Sequence, residues 1–269
     1  SNQPEQKASS SRGSQSRGGR GGAQAKIEIF DMEGNLVRNF DSPVRDGLNI
    51  ARWRFDENPM ESEDGSSENQ TGIARFLTGG APAMPGTYRV KISVGDDSDE
   101  TTLTYKTDPR QDISMEALIA SRELMREIGS LSQEVLTMSK KVSEDLKQVD
   151  KILEALKDKK GDQFTEIKQK TDAVKSELDE LQSLIGSTGR GFRGGGSDGP
   201  TPLLTNIFTA MRSISGSNDM PGRTQEMLMN RVKTEQVEVE KKMESWYAEN
   251  WDQYLNAVKA LNFNPVGTN

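Results

Sequence analysis

Asp96, Asp97, Asp99 and Glu100 crowd one short turn, "GDDSDE", and carboxylate oxygens at that density are the hard ligands that Ca²⁺ takes. A second acidic run, "ESEDGSSEN", offers the same ligand type through Glu61, Glu63, Asp64 and Glu68. Neither keeps the twelve-residue spacing of a calcium loop, with its fixed glycine and closing glutamate. Both therefore read as solvated loop tips, with Asp96, Asp97, Asp99 and Glu100 kept as weak Ca²⁺ candidates. Glycosidase chemistry needs two carboxyls about 5–10 Å apart, one with its pKa raised by burial. Runs this polar predict no burial, so they are not read as a catalytic pair. The Gly/Arg runs "SRGGRGG" and "GRGFRGGG" lack the Lys-Ser/Thr ending of a phosphate loop and follow no buried strand. Asn69-Gln70-Thr71 matches a glycosylation sequon, a frequent pattern. The densest aromatic group is Trp246, Tyr247, Trp251 and Tyr254. On one helix these positions cover more than one face, so core packing and partner docking both stay open.

Composition narrows the chemistry further. The 269 residues include no histidine and no cysteine, which removes disulfides, thiolate nucleophiles, Cys/His zinc sites and every relay that uses an imidazole. Catalysis would have to rest on carboxylates, Lys, Tyr, Arg or an oxygen-ligated metal. Charge is mildly acidic, 35 Lys and Arg against 42 Asp and Glu. Hydrophobic residues make up 32%, which predicts one or two domains and no single large core. No apolar run reaches the ~18–20 residues of a membrane span. The opening "SNQPEQKASS" has neither an initiator Met nor a signal peptide, and reads as a processed product or a piece of something longer. No cofactor is expected.

Three regions must position these groups. Residues 1–25 hold no large apolar side chain and read as a disordered Gly/Arg/Ser-rich lead-in. An RNA-binding tail is the weaker reading, since no Phe or Tyr is interleaved. Residues 26–108 alternate with period two: "KIEIF", a turn at "DMEGN" with Gly34 free to take positive φ, then "LVRNF". "LNIARWRF" predicts a third strand, "GIARFLT" another, and "PGTYRVKISV" with "TTLTYKT" closes a hairpin. The spacing predicts a small antiparallel immunoglobulin-like sandwich, with Trp53 and Tyr88 in its core rather than stacking on sugars. Gly34, Gly86 and Arg38 read as structural. From 109 to 264 the chain reads as an antiparallel bundle, helices at about 113–156, 162–185, 201–214 and 224–262, with a tail at 265–269. Asp112 or Ser114 can cap the first helix. Its seam is Met125, Ile128, Leu131, Val135, Met138, Val142, Leu146, Val149, Leu153 and Leu156. Its length predicts protrusion or a break near Gly129. The second helix steps 3-4 through Phe164, Ile167, Thr171, Val174, Leu178, Leu181 and Ile185, a coiled-coil-like seam. The last carries Met229, Val232, Gln236, Val239, Met243, Trp246, Trp251, Tyr254, Val258 and Leu261. The fold class is segregated α+β.

"KIEIFDMEGNLVRNF", "GLNIARWRF", "MPGTYRVKISV" and "TDPR" together resemble the C-terminal region of a bacterial family, best represented in Bacteroidota. Its members carry an N-terminal sortilin-like β-propeller of BNR repeats and are often labelled glycosyl hydrolases. The β half is also similar to the Ig-like domain of the flagellar hook-capping protein. In the helical half, Gly199-Pro200 and Leu261-Asn262 extend the likeness, which covers roughly residues 26–264. No Ser-x-Asp-x-Gly-x-x-Trp box of a propeller occurs in this chain, so no sugar chemistry is carried over. The Trp-Asp-Leu-Arg of the family stands here as Trp53-Arg54-Phe55, with the acid shifted to Asp56.

The resemblance implies a non-catalytic spacer and partner-docking scaffold, part of an exported protein of the periplasm, cell surface or medium. Its expected partners are proteins, either its own propeller or a cell-envelope complex. An accessory region of a glycoside hydrolase whose site lies in the propeller is the alternative, and RNA binding through the Gly/Arg runs the weaker one.

Overall fold

The computed structural model describes residues 23–59, 76–111, 113–186, 201–217 and 219–261. The fold is α+β and mostly helical. Its strands are β1 (Gln24–Phe30), β2 (Leu36–Pro43), β3 (Gly86–Val94) and β4 (Asp97–Tyr105), one antiparallel sheet in the order β2-β1-β3-β4. Period-two alternation forces the pairing: Ala25, Ile27 and Ile29 are buried while Lys26 and Glu28 face the other way. Register then places Phe40, Ile27, Ile92 and Asp99 in one row across the four strands. The next row holds Ser42, Ala25, Val94 and Asp97. Between β1 and β2 the Asp31 carboxylate accepts from the backbone N–H of Glu33 (3.0 Å) and Asn35 (2.8 Å), and Gly34 sits at φ +90°.

Two expected strands are not seen among the described residues. Residues 48–54 are irregular, and Phe55 takes φ +57°, a left-handed conformation that ends an extended run. Their alternation serves a loop that folds over the sheet. Trp53 turns inward, its ring 5.0 Å from Tyr88, and its Nε1 donates to the Asp56 carbonyl at 2.7 Å. Phe55 stacks on Tyr105 at 4.4 Å. The expected strand at "GIARFLT" is the other correction. Residues 72–75 lie outside the described residues, but Phe76 and Leu77 are helical, and Leu77 is buried in the helical core instead of a sheet. Thus Tyr88, Ile29 and Ile27 are covered by loop segments carrying Trp53 and Ala83.

The helices are α1 (Met115–Leu156), α2 (Asp162–Ile185), α3 (Leu203–Ser215) and α4 (Arg223–Trp246), the last running through a π-helical turn, Tyr247–Trp251, into α5 (Asp252–Ala260). Ser114 is the N-cap of α1, its hydroxyl accepting from Ala117 N at 3.0 Å; Asp112 lies outside the described residues. The α1 helix neither breaks at Gly129 nor stands alone. Ser143 bonds Gln182 at 2.8 Å, Ser139 bonds the Gly186 carbonyl at 2.9 Å and Lys175 pairs with Asp150, so α2 runs antiparallel along the second half of α1. Beside the end of α2, a Cβ on Gly186 would lie 3.0 Å from Pro202, and α3 continues there along the first half of α1. Then α4 and α5 run parallel to α1, tied by Lys233–Glu127, Gln236–Glu134 and Tyr247–Asp145. The result is three rods thick, with α2 and α3 sharing one of them.

The seams held with one shift. Ile167, Thr171, Val174, Leu178, Leu181 and Ile185 of α2 are all buried. On α1 the fully buried positions include Ser132, Ser139 and Ile152, while Leu131, Met138, Leu146 and Leu153 are only partly covered. Helices on several sides pull the buried stripe round by one residue, toward side chains that sequence alone reads as polar.

Candidate functional site

The aromatic group sits where α4 passes into α5. Five residues in π-helical geometry change the phase of the helix, and such turns recur at functional sites. Trp246 lies 4.9 Å from Tyr247 and 6.1 Å from Trp251, and Trp251 lies 5.8 Å from Tyr254. The structure thus brings the four residues together and spreads them over two helix faces. Trp251 and Tyr254 are buried, whereas Trp246 and Tyr247 are half-buried. Three polar tips have bundle partners: Trp246 Nε1 donates to Glu177, Tyr247 Oη to Asp145, and Tyr254 Oη bonds Thr171 Oγ1 at 3.3 Å. Burial, then the hydrogen bond and negative charge of Asp145, push the Tyr247 phenol well above its usual range. Burial raises Tyr254 as well, against the pull of Thr171. Neither phenol is poised for proton transfer near neutral pH.

Beside Tyr247 a cleft of about 220 Å³ opens between α1 and α4, lined by Met138, Lys141, Glu240, Met243, Glu244 and Tyr247. The Lys141 ammonium lies 3.8 Å over the Tyr247 ring and pairs with Asp145 at 3.0 Å, so the cation-attracting face of that ring is already used.

The acidic turn does not gather into a cage. Asp97 and Asp99 lie on the sheet face of Val94 and Ile92, while Glu100 lies on the other face and pairs with Arg89 at 3.0 Å. Among the described residues no group of three or more acidic side chains is placed to hold a metal. The run Glu61, Glu63, Asp64 and Glu68, the sequon at Asn69, the lead-in to residue 22, the Gly/Arg run near residue 190, Gly199-Pro200 and Asn262 lie outside the described residues. Arg38 donates to the Glu57 carbonyl at 2.8 Å and approaches Asp56 to 3.7 Å, so the shifted acid of the Trp53 segment has a basic neighbour.

Sequence reasoning missed the joint between sheet and bundle. The Glu57 carboxylate accepts from Arg122 Nε at 2.7 Å and from Arg126 Nε at 3.0 Å and Nη2 at 2.9 Å; Arg122 Nη2 also reaches it. Phe76 meets Phe208 edge-on at 5.1 Å, and Leu77 and Ala81 belong to the same core cluster as α1 to α5. Two arginines one helical turn apart were the available signal. Their acceptor, 65 and 69 residues away, was not.

Compared with family models, curated proteins and solved structures, the chain matches none. Among the described residues no helix is long and apolar enough to cross a membrane.

Proposed function

We propose that the chain is a non-catalytic structural and protein-interaction module, the C-terminal part of an exported sortilin-like β-propeller protein, acting outside the cytoplasm as spacer and docking scaffold. The joint carries this reading. A spacer transmits position only if its parts do not swing, and Glu57 held by two arginines with Leu77 sunk in the bundle core meets that demand. Support for the family part comes from motif residues that shape the sheet: Asp31 closes the β1–β2 turn, Trp53 covers Tyr88, and Gly86-Thr87-Tyr88 opens β3. We read the sheet with its covering loops as a pared-down Ig-like sandwich and the 3-4 seams as coiled-coil-like.

Intact mass and co-purifying chains from the native source test the reading. A propeller, covalently attached or bound, is the expected result. Glycan hydrolysis by this chain alone would overturn it. Loss of a parent hydrolase activity on removing this region would assign the accessory-enzyme role instead. Salt-sensitive RNA binding that disappears with residues 1–25 would assign the third.

A further inference from the structure

The two edges of the sheet differ. At the β2 edge the Val37 carbonyl accepts from Asn58 N at 2.7 Å, and Asn39 N donates to Asn58 Oδ1 at 2.8 Å, so a crossing segment already takes outward backbone groups. Glu57, the residue before Asn58, holds Arg122 and Arg126, which puts the bundle joint on the β2 side. The opposite edge is β4. It pairs with β3 without a break from Asp97 to Tyr105, and its residues from Asp97 to Thr104 are exposed. Alternate residues of an antiparallel edge strand turn their N–H and C=O groups away from the neighbouring strand. The Glu100 N–H donates to the Asp99 carboxylate at 2.9 Å, which identifies the outward set as Ser98, Glu100, Thr102 and Thr104. Among the described residues no backbone group of another segment bonds this set.

Proteins blunt exposed edges with Pro, Lys, bulges or very short strands, because an open ladder templates pairing with another chain. β4 has 9 residues, no Pro, Gly or Lys, and no shift of register. Its charge is polarised instead. Asp96, Asp97, Asp99 and Glu100 crowd the start, whereas Thr101-Thr102-Leu103-Thr104-Tyr105 carries no charge and Lys106 follows. Glu100 is balanced across the ladder by Arg89 at 3.0 Å and by Lys91 opposite it. Asp97 and Asp99 lie opposite Val94 and Ile92, which offer no cation. The loop arginines add to the polarity. Arg52 and Arg54 flank Trp53, and Trp53 and Phe55 lie against Tyr88 and Tyr105, at the acid-free end. Arg45 follows β2, three strand spacings or about 14 Å across the sheet.

We infer that β4 pairs antiparallel with β4 of a second copy, joining two four-stranded sheets edge to edge. A two-fold axis at Thr101 sets outward residues opposite outward residues, Ser98 with Thr104 and Glu100 with Thr102. Each acid-rich half then meets an acid-free half: Asp97 lies opposite Tyr105, Asp99 opposite Leu103, and Asp96 opposite Lys106 of the second copy. No carboxylate of the paired strands faces another. A parallel pairing in register would stack the acids, and a neutral strand from another protein would leave Asp96, Asp97 and Asp99 without a cation. The net charge of −7 is spread along the chain, and screening over ~8 Å at physiological salt leaves the strand's own pattern to decide.

Sedimentation of the purified full chain over a concentration series tests the pairing, with amide hydrogen exchange read at the same concentrations. A reversible dimer is expected, in which the amides of Ser98, Thr102 and Thr104 gain protection as the dimer forms. Thr102→Pro removes an outward N–H where an edge strand tolerates proline, and should weaken the dimer about tenfold or more while the dilute chain keeps its thermal melt. Lys106→Glu should weaken it about tenfold, since each dimer holds the Asp96–Lys106 pair twice, and adding Asp96→Lys should restore it. If Thr102→Pro lowers the melt, this charge swap at two exposed positions carries the test. A chain that stays monomeric up to its solubility limit would overturn the pairing. So would a dimer indifferent to both changes, or a monomer whose outward β4 amides are already protected, which assigns the edge to another segment of this chain. A monomer leaves the spacer reading intact, and a native mass lacking any propeller leaves the pairing intact.

Discussion

Asp31 shows how much one carboxylate can organise. Its hydrogen bonds from the Asn35 side chain and from the backbone of Asn35, Glu33 and Gly34 hold its pKa below the usual carboxylate range. A depressed folded-state value contributes stability above the unfolded value of about 4, and loses it as pH falls through the folded one. Acid should therefore loosen the β1–β2 turn, read as exchange broadening of the Glu33 and Asn35 amide signals, and Asp31→Ala should abolish that pH dependence. Glu57 offers a second test. Glu57→Gln keeps the shape but removes the charge that faces the half-buried Arg122 and the exposed Arg126, and should lower stability by about 1–2 kcal/mol in denaturant titration. Trp53 and Tyr88 as core aromatics were legible, because large rings in a period-two segment have few other uses. The Glu57 clamp was not, because a charge shows its sign in a sequence but not its distant partner.

At the scale of elements, helices were legible and strands only in part. The α2 seam was foreseeable residue by residue, since hydrogen bonds local to a helix make its period visible without any neighbour. A strand exists only where a neighbour accepts its hydrogen bonds, and residues 48–54 alternate correctly but have none. That difference predicts a contrast: Ile27→Ala, in the sheet core, should cost about 2–4 kcal/mol, and Ile50→Ser within about 0.5 kcal/mol. Thermal melts of the two variants check it. The covering loop has its own point of no tolerance at Gly80, where an added Cβ would lie 2.0 Å from the Glu57 carbonyl oxygen. Gly80→Ala should displace Glu57 from its arginines and destabilise the chain by more than Glu57→Gln does. The aromatic group was readable as a cluster covering more than one face, but the π-helical turn within it was not, because one extra residue in a helix leaves no mark on composition.

The whole molecule is a rod with a small sheet locked near one end. At 1.5 Å per residue, α1 alone spans about 63 Å, and α2 and α3 in tandem keep it covered. Small-angle scattering should accordingly give a longest dimension above that length. Hydrogen exchange should show the α1 turns around Arg122 and Arg126 losing protection together with β2 when Arg122→Ala and Arg126→Ala are combined. The segregated α+β layout was visible from the change of period at "TDPR". The tandem arrangement was hidden, because nothing in two separate seams says that they share one long partner.

The arginine clamp grips α1 about one quarter of the way along, not at its tip. About 30 residues lie beyond Arg126, some 45 Å of helix, so a tilt of about 5° at the clamp would carry the far end through roughly 4 Å. The sheet therefore sits at the fulcrum of a lever.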